Sequence, residues 1–152
     1  MEDPRISDVM TEEPIVVSPD TPILEVAKIL IDNKIGGIPV VDDNGALVGI
    51  ITDGDLIMQD IKLQFPSYIQ FIDGVFLSPV AVSRFEDRLR KAIGANVEDV
   101  MTTDVVTIGP DDSVADAATL MVENRVSRIP VVADGRVVGI VTKADVVKSM
   151  LA

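Results

Sequence analysis

The apolar positions of this chain fall into one order, and then fall into it again. Ile23, Val26, Ala27, Leu30 and Ile31 recur at i, i+3, i+4, i+7 and i+8, the spacing of a helix that buries one stripe. Val114, Ala117, Ala118, Met121 and Val122 follow the same template. Capping residues stand just ahead of both, Asp20-Thr21-Pro22 and Asp111-Asp112-Ser113. Each helix is followed by two apolar runs separated by a turn. The first set is Ile38 to Val41, Asp42-Asp43-Asn44-Gly45 and Leu47 to Thr52; the second is Ile129 to Val132, Asp134-Gly135 and Val137 to Thr142. Asn-Gly and Asp-Gly tolerate positive φ, so both sets predict hairpins. A final helix starts near Asp53 and again near Lys143, and a short strand, Ile15 to Val17 or Val105 to Ile108, precedes the first helix. The unit reads β-α-β-β-α, twice. Its strands are apolar on both faces, which predicts that helices cover part of the sheet.

Direct alignment supports the repetition. Ser18 to Leu56 pairs with Gly109 to Val146, with one gap at Asn44 and 15 identities in 38 positions. Val9-Met10-Thr11 also matches Val100-Met101-Thr102. Two copies are too few for a solenoid and predict a pair packed about a pseudo-twofold axis. The chain divides into a first repeat at 1–60, an insert at 61–96 and a second repeat at 97–152. The insert has no counterpart in either repeat. It holds every aromatic residue, Phe65, Tyr68, Phe71, Phe76 and Phe85, and its Arg84 to Ala95 stretch has helical character. It is too apolar for a flexible linker, which leaves two readings: a dimer or partner surface, or a segment packed on its own domain.

Composition narrows the chemistry. A net charge of −12 over 152 residues argues against broad nucleic-acid binding, which needs a basic footprint, and against docking on an anionic membrane. With no cysteine and no histidine, there is no disulfide, thiol nucleophile, Ser-His-Asp triad or histidine zinc site. No apolar run approaches a membrane span, and Met1-Glu2-Asp3-Pro4 lacks the regions of a signal peptide. The expectation is a cytoplasmic protein that is not an enzyme. Asp53-Gly54-Asp55 lacks the other ligands of a calcium loop, and neither a Walker loop nor G-x-G-x-x-G occurs.

A Val-Met-Thr start, a capped amphipathic helix, Ile-Pro-Val-Val, a hairpin, then Gly-Ile-Ile-Thr-Asp-Gly-Asp or Gly-Ile-Val-Thr-Lys-Ala-Asp form one ordered set. That set strongly resembles the CBS domain in its tandem arrangement, the Bateman module, over Ile6 to Asp60 and Val97 to Met150. The implied fold class is α/β (α+β), two repeats about the pseudo-twofold axis with the insert between them. The physical reading of the site begins at Thr52, Asp55, Thr142 and Asp145. Each threonine closes a strand, and each aspartate lies in the first turn of the next helix. Such a carboxylate can accept two ribose hydroxyls, or the pair can serve to cap the helix; Asp55 and Asp145 lie beyond the cap position, which favours a ligand.

The resemblance implies two clefts. One combines Thr52 and Asp55 with Val105, Val106, Ser127, Arg128 and Pro130. The other combines Thr142 and Asp145 with Pro14, Ile15, Gly36, Gly37 and Pro39. They differ where Ser127-Arg128 is matched by Gly36-Gly37. Arg128 offers a planar fork for phosphate, with Lys143 as a second cation, so the Asp55 cleft is expected to prefer phosphorylated adenosine. The Asp145 cleft then takes a less charged ligand unless Lys34 reaches it. No metal is expected. The implied function is a sensor module binding AMP, ADP, ATP, S-adenosylmethionine or an NAD-type ligand, homodimeric, signalling to an effector protein in trans. A ligand-free assembly scaffold and a small hydrolase or transferase acting on nucleotides are the alternatives.

Overall fold

The computed structural model describes residues 3–62 and 95–151, with side chains excluded at 58–62. The insert's aromatic residues therefore lie outside the described residues. The elements in chain order are α1 (Ile6–Val9), β1 (Thr11–Glu12), α2 (Ile23–Asn33), β2 (Gly37–Val41), β3 (Leu47–Thr52), α3 (Asp53–Lys62), α4 (Val97–Val100), α5 (Val114–Asn124), β4 (Arg128–Ala133), β5 (Arg136–Thr142) and α6 (Lys143–Met150). The mixed α+β architecture and the twofold repetition agree with the sequence pattern.

The two hairpins turn differently. Asp134 and Gly135 both have positive φ, 52° and 78°, and Ala133 pairs directly with Arg136 across them. The first hairpin is one residue longer, at the alignment gap. There Gly45 has positive φ, and the Asp42 carboxylate accepts from the backbone N–H of Asn44 at 2.9 Å and of Ala46 at 3.0 Å. An aspartate that bonds its own turn replaces the second left-handed residue.

The short strand expected before each long helix contracts to one residue. Val17 makes a single parallel bridge to Val40, and Ile108 to Val131. The bonds are Val17 N–H to the Pro39 carbonyl and Val41 N–H to the Val17 carbonyl, with the same pattern at Ile108, Pro130 and Val132. Extending the ladder by one pair needs a donor at residue 19 or 39, and at 110 or 130. All four are prolines, which have no N–H to give. The same geometry explains how Pro39 and Pro130 sit inside paired strands, since the bridge uses only their carbonyls.

The Val-Met-Thr segments cross over. Ile6 on α1 packs in a core with Ile108, Val114, Ala117, Met121, Ile129, Val131, Val141 and Val146, all from the second half of the chain. Val97 on α4 packs with Val17, Val26, Leu30, Ile38, Val40 and Ile51. The backbone seals the exchange: Ile6 N–H donates to the Asp112 carbonyl at 2.8 Å, and Val97 N–H to the Thr21 carbonyl at 2.9 Å. β1 pairs with β5, and Thr102 bridges Ile50 of β3. Glycine admits both crossings. A Cβ at Gly139 would lie 3.0 Å from the Thr11 carbonyl oxygen, and one at Gly49 would lie 3.0 Å from that of Thr102.

The helical stripes are narrower than their periodicity suggests. Val26 and Leu30 are buried on α2, but Ile31 is 75% exposed; on α5, Val122 is 79% exposed. Capping also differs between copies. Ser113 caps α5, its Oγ accepting from Asp116 N–H at 3.0 Å. α2 has Pro22 at its N-cap with no side-chain bond, and its Ile23 N–H is taken instead by the Ala95 carbonyl at 3.0 Å.

Candidate functional site

β3 ends at Thr52 and α3 starts at Asp53, so this junction points Thr52 and Asp55 at one end of the strands. The crossover of α4 then lays residues 102 to 106 beside β3. On the other side, α5 ends at Asn124 and β4 begins at Arg128, with Val126 and Ser127 between. These pieces enclose a cleft of about 330 Å³ lined by Ile50, Thr52, Asp53, Thr102, Asp104, Val105, Val106, Arg125, Val126, Ser127 and Arg128. That volume is at the lower end of the range for small-molecule sites. Its charged groups are two carboxylates and two guanidiniums.

Of the residues assigned to the first cleft, the structure places Thr52, Val105, Val106, Ser127 and Arg128 in this lining. Pro130 is fully buried and is not on the wall. Asp55 is half-buried and is not among the lining residues, but it is bonded to two that are, Thr52 and Thr102. Its Oδ2 accepts from Thr52 N–H at 3.0 Å, while its own N–H donates to Thr52 Oγ1 at 3.1 Å. Thr102 Oγ1, from the other half of the chain, donates to Asp55 Oδ1 at 3.2 Å. Thr142 and Asp145 repeat the reciprocal bonds at 2.8 Å and 3.3 Å. Both aspartates therefore belong to the caps, not beyond them, as third residues of capping boxes.

Among the second set, Pro14 and Ile15 precede the Val17 bridge, and Pro39 is fully buried. Gly36 and Gly37 meet Arg128. A Cβ on Gly36 would collide with Arg128 Nη2 and lie 3.3 Å from Asp53 Oδ2; one on Gly37 would lie 2.5 Å from Arg128 Cδ. The expected contrast between Ser127-Arg128 and Gly36-Gly37 is thus a complementarity: the side chain missing from one repeat is the space that the arginine of the other fills. Lys143 is exposed and off the cleft wall, although its N–H donates to the Ser127 carbonyl at 2.8 Å.

Sequence reasoning missed Ile50, Asp53, Thr102, Asp104, Arg125 and Val126. Thr102 had a signal, since Val-Met-Thr occurs twice, but which strand it joins is a tertiary fact. Among the described residues no cluster of carboxylates could hold a metal ion, and no helix is long and apolar enough to cross a membrane.

Known proteins share this repeat and this fold. The family model for the CBS domain matches residues 6–61 and 97–152. The protein MJ1426 of Methanocaldococcus jannaschii, itself uncharacterized, is 37% identical over 96% of this chain and 90% of its own length. The chloroplastic CBS domain-containing protein CBSX2 of Arabidopsis thaliana is 33% identical, and the match spans 58% of that protein. A crystal structure of CBSX2 in complex with AMP superposes with a TM-score of 0.72 at 31% identity, covering 97% of this chain and 96% of that one. The CBS domain pair of protein MJ0100, in complex with 5′-methylthioadenosine and S-adenosyl-L-methionine, superposes with a TM-score of 0.70 at 29% identity, covering 98% and 97%.

Proposed function

The chain belongs to the CBS-domain family as a tandem pair, and from that membership we propose that it is a regulatory sensor, without catalytic activity, for adenosine-containing ligands. The observation that carries the reading is the 330 Å³ cleft, to which Thr52 of one repeat and Val105, Val106, Ser127 and Arg128 of the other all contribute. Solved relatives with this fold hold AMP in one case and methylthioadenosine with S-adenosylmethionine in another. In this chain Asp55 receives the ribose hydroxyls, Val105 and Val106 flank the base, and Arg128 takes phosphate. Thr142, Asp145, Pro14 and Ile15 border the second cleft, which favours a less charged ligand, and Lys143 contributes charge nearby; Gly36 and Gly37 instead make room for Arg128 in the first cleft, and buried Pro39 takes no part.

Occupancy reaches a partner protein in trans through a change in how the repeats meet, because a ligand acts as a switch only by binding two conformations unequally. The module acts in the cytoplasm as a homodimer, and exposed Ile31 and Val122 supply part of its apolar face. One observation favours the scaffold reading instead. Asp55 and Asp145 are both satisfied as helix caps, so the fold does not require a ligand at either place.

A thermal-shift panel of AMP, ADP, ATP, S-adenosylmethionine, NADH and GTP decides between them. The variants are Asp55→Asn and Asp145→Asn, because asparagine retains a cap acceptor that alanine loses. A ligand at 100 times its Kd adds about 2.7 kcal/mol of stability. A shift with an adenosine ligand that disappears in one variant supports the sensor; no shift with any of the six refutes it and leaves the scaffold.

A further inference from the structure

Arg125 occupies a position that backbone geometry would give to glycine. It is the C-cap of α5, at φ 55° and ψ 46°, in the left-handed region that disfavours any residue with a Cβ. Lys34 ends α2 in the same conformation, at φ 53° and ψ 45°. Both repeats keep a long cation where glycine would end the helix with less strain. The helix dipole favours a cation nearby, but it is served equally by one in the last turn, where no left-handed backbone is needed.

Arg125 also lines the cleft, three residues ahead of Arg128. The two differ in depth. Arg128 is half-buried and Arg125 is exposed. The only ion pair among the described residues is Arg5 with Asp111, so no carboxylate among them holds either guanidinium. Asp53 and Asp104 stand on the same walls. Without Arg125 the lining would keep a single guanidinium, Arg128, for phosphate.

We infer that Arg125 is the outer of two phosphate-reading arginines, and that the cleft selects an adenosine ligand carrying at least two consecutive phosphates. The inference rests on the adenosine reading above and names its ligand more closely. The inner phosphate meets Arg128 over the Gly36-Gly37 gap, and the next meets Arg125 at the rim. Each guanidinium presents a fork suited to a phosphate's paired oxygens. A monophosphate reaches Arg128 alone.

The test is calorimetric titration of the full chain with adenosine, AMP, ADP and ATP, for wild type, Arg125→Gly and Arg128→Ala. Arg125→Gly is expected to weaken ADP and ATP about tenfold or more, the effect of losing a charged hydrogen bond, and to leave adenosine and AMP within about threefold. Its ligand-free Tm is expected to stay level or rise by up to about 3 °C, since glycine relieves the left-handed strain but adds freedom to the unfolded chain. Arg128→Ala is expected to weaken all three nucleotides. An ADP-to-AMP affinity ratio unchanged in Arg125→Gly overturns the inference while leaving the adenosine reading intact, and a fall in Tm with that unchanged ratio assigns Arg125 to packing. Wild type that binds none of the four ligands overturns both.

Discussion

Gly139→Ala is expected to lower the melting temperature, because β5 has no room for a methyl group where the N-terminal segment crosses it. The new Cβ would lie 2.5 Å from Met10 Sδ, 3.0 Å from Met10 Cγ and 3.0 Å from the Thr11 carbonyl oxygen. The methionine can swing away, but the carbonyl belongs to the backbone of β1, which pairs with β5 at Thr11 and Glu12. Overpacking of this kind costs about 1–3 kcal/mol, and the alanine returns about 0.4–1 kcal/mol through the unfolded chain. The net loss is about 1–2 kcal/mol, and at about 2–4 °C per kcal/mol the melting point falls by roughly 2–8 °C. Gly54→Ala is the control. It sits in the first turn of α3, and its nearest neighbour would be Thr52 Oγ1 at 3.5 Å, so stability is expected to stay level or rise by up to about 1 kcal/mol. A denaturation cycle with Met10→Ala closes the argument. Removing the methionine frees part of the space, so the double variant is less destabilised than the sum of the singles, with a coupling of about 0.5 kcal/mol or more. A melting point that rises in Gly139→Ala, or strict additivity with Met10→Ala, would refute the crossing of the N-terminal segment onto the second repeat.

Three further outcomes follow from the geometry. Thr142→Ala removes the acceptor for Asp145 N–H and costs about 1 kcal/mol, read as a lower urea midpoint with unchanged m-value. Gly37→Ala intrudes on the Arg128 stem at Cδ, 2.5 Å away, so it is expected to cut nucleotide affinity about as much as Arg128→Ala does, measured by titration; unchanged affinity would place the guanidinium elsewhere. Ile31→Asp with Val122→Asp changes two side chains that are 75% and 79% exposed, so monomer stability moves by less than about 1 kcal/mol, while sedimentation is expected to show a monomer where the proposed homodimer predicts a dimer for wild type.

Much of the fold is legible because local rules and tertiary needs agree. Val26 and Leu30, or Ala117 and Met121, sit at helical spacing and are buried. Gly45 and Gly135 mark turns that require positive φ. The collapse of the first strand to one bridge was legible too, in Pro19, Pro39, Pro110 and Pro130, though only to a reading that follows each N–H to its acceptor. Ile31 and Val122 show the limit of periodicity. It finds the face of a helix but not the edge of the stripe, which depends on how far the neighbouring element reaches.

The site divides along the same line. Thr52 with Asp55 and Thr142 with Asp145 are visible as repeated pairs, and their bonds span three residues, so they form wherever that strand-to-helix junction forms. Thr102 on Asp55, Arg128 over Gly36 and Gly37, and Arg125 at the rim join residues far apart in the chain, and nothing in their own neighbourhoods names their partners. Repetition, helix faces, hairpins and caps are short-range consequences of residue type and spacing. The exchange of the Val-Met-Thr segments, and the cleft it creates, depends on which backbone donors and apolar side chains find partners once both halves pack, and that choice is made only in three dimensions.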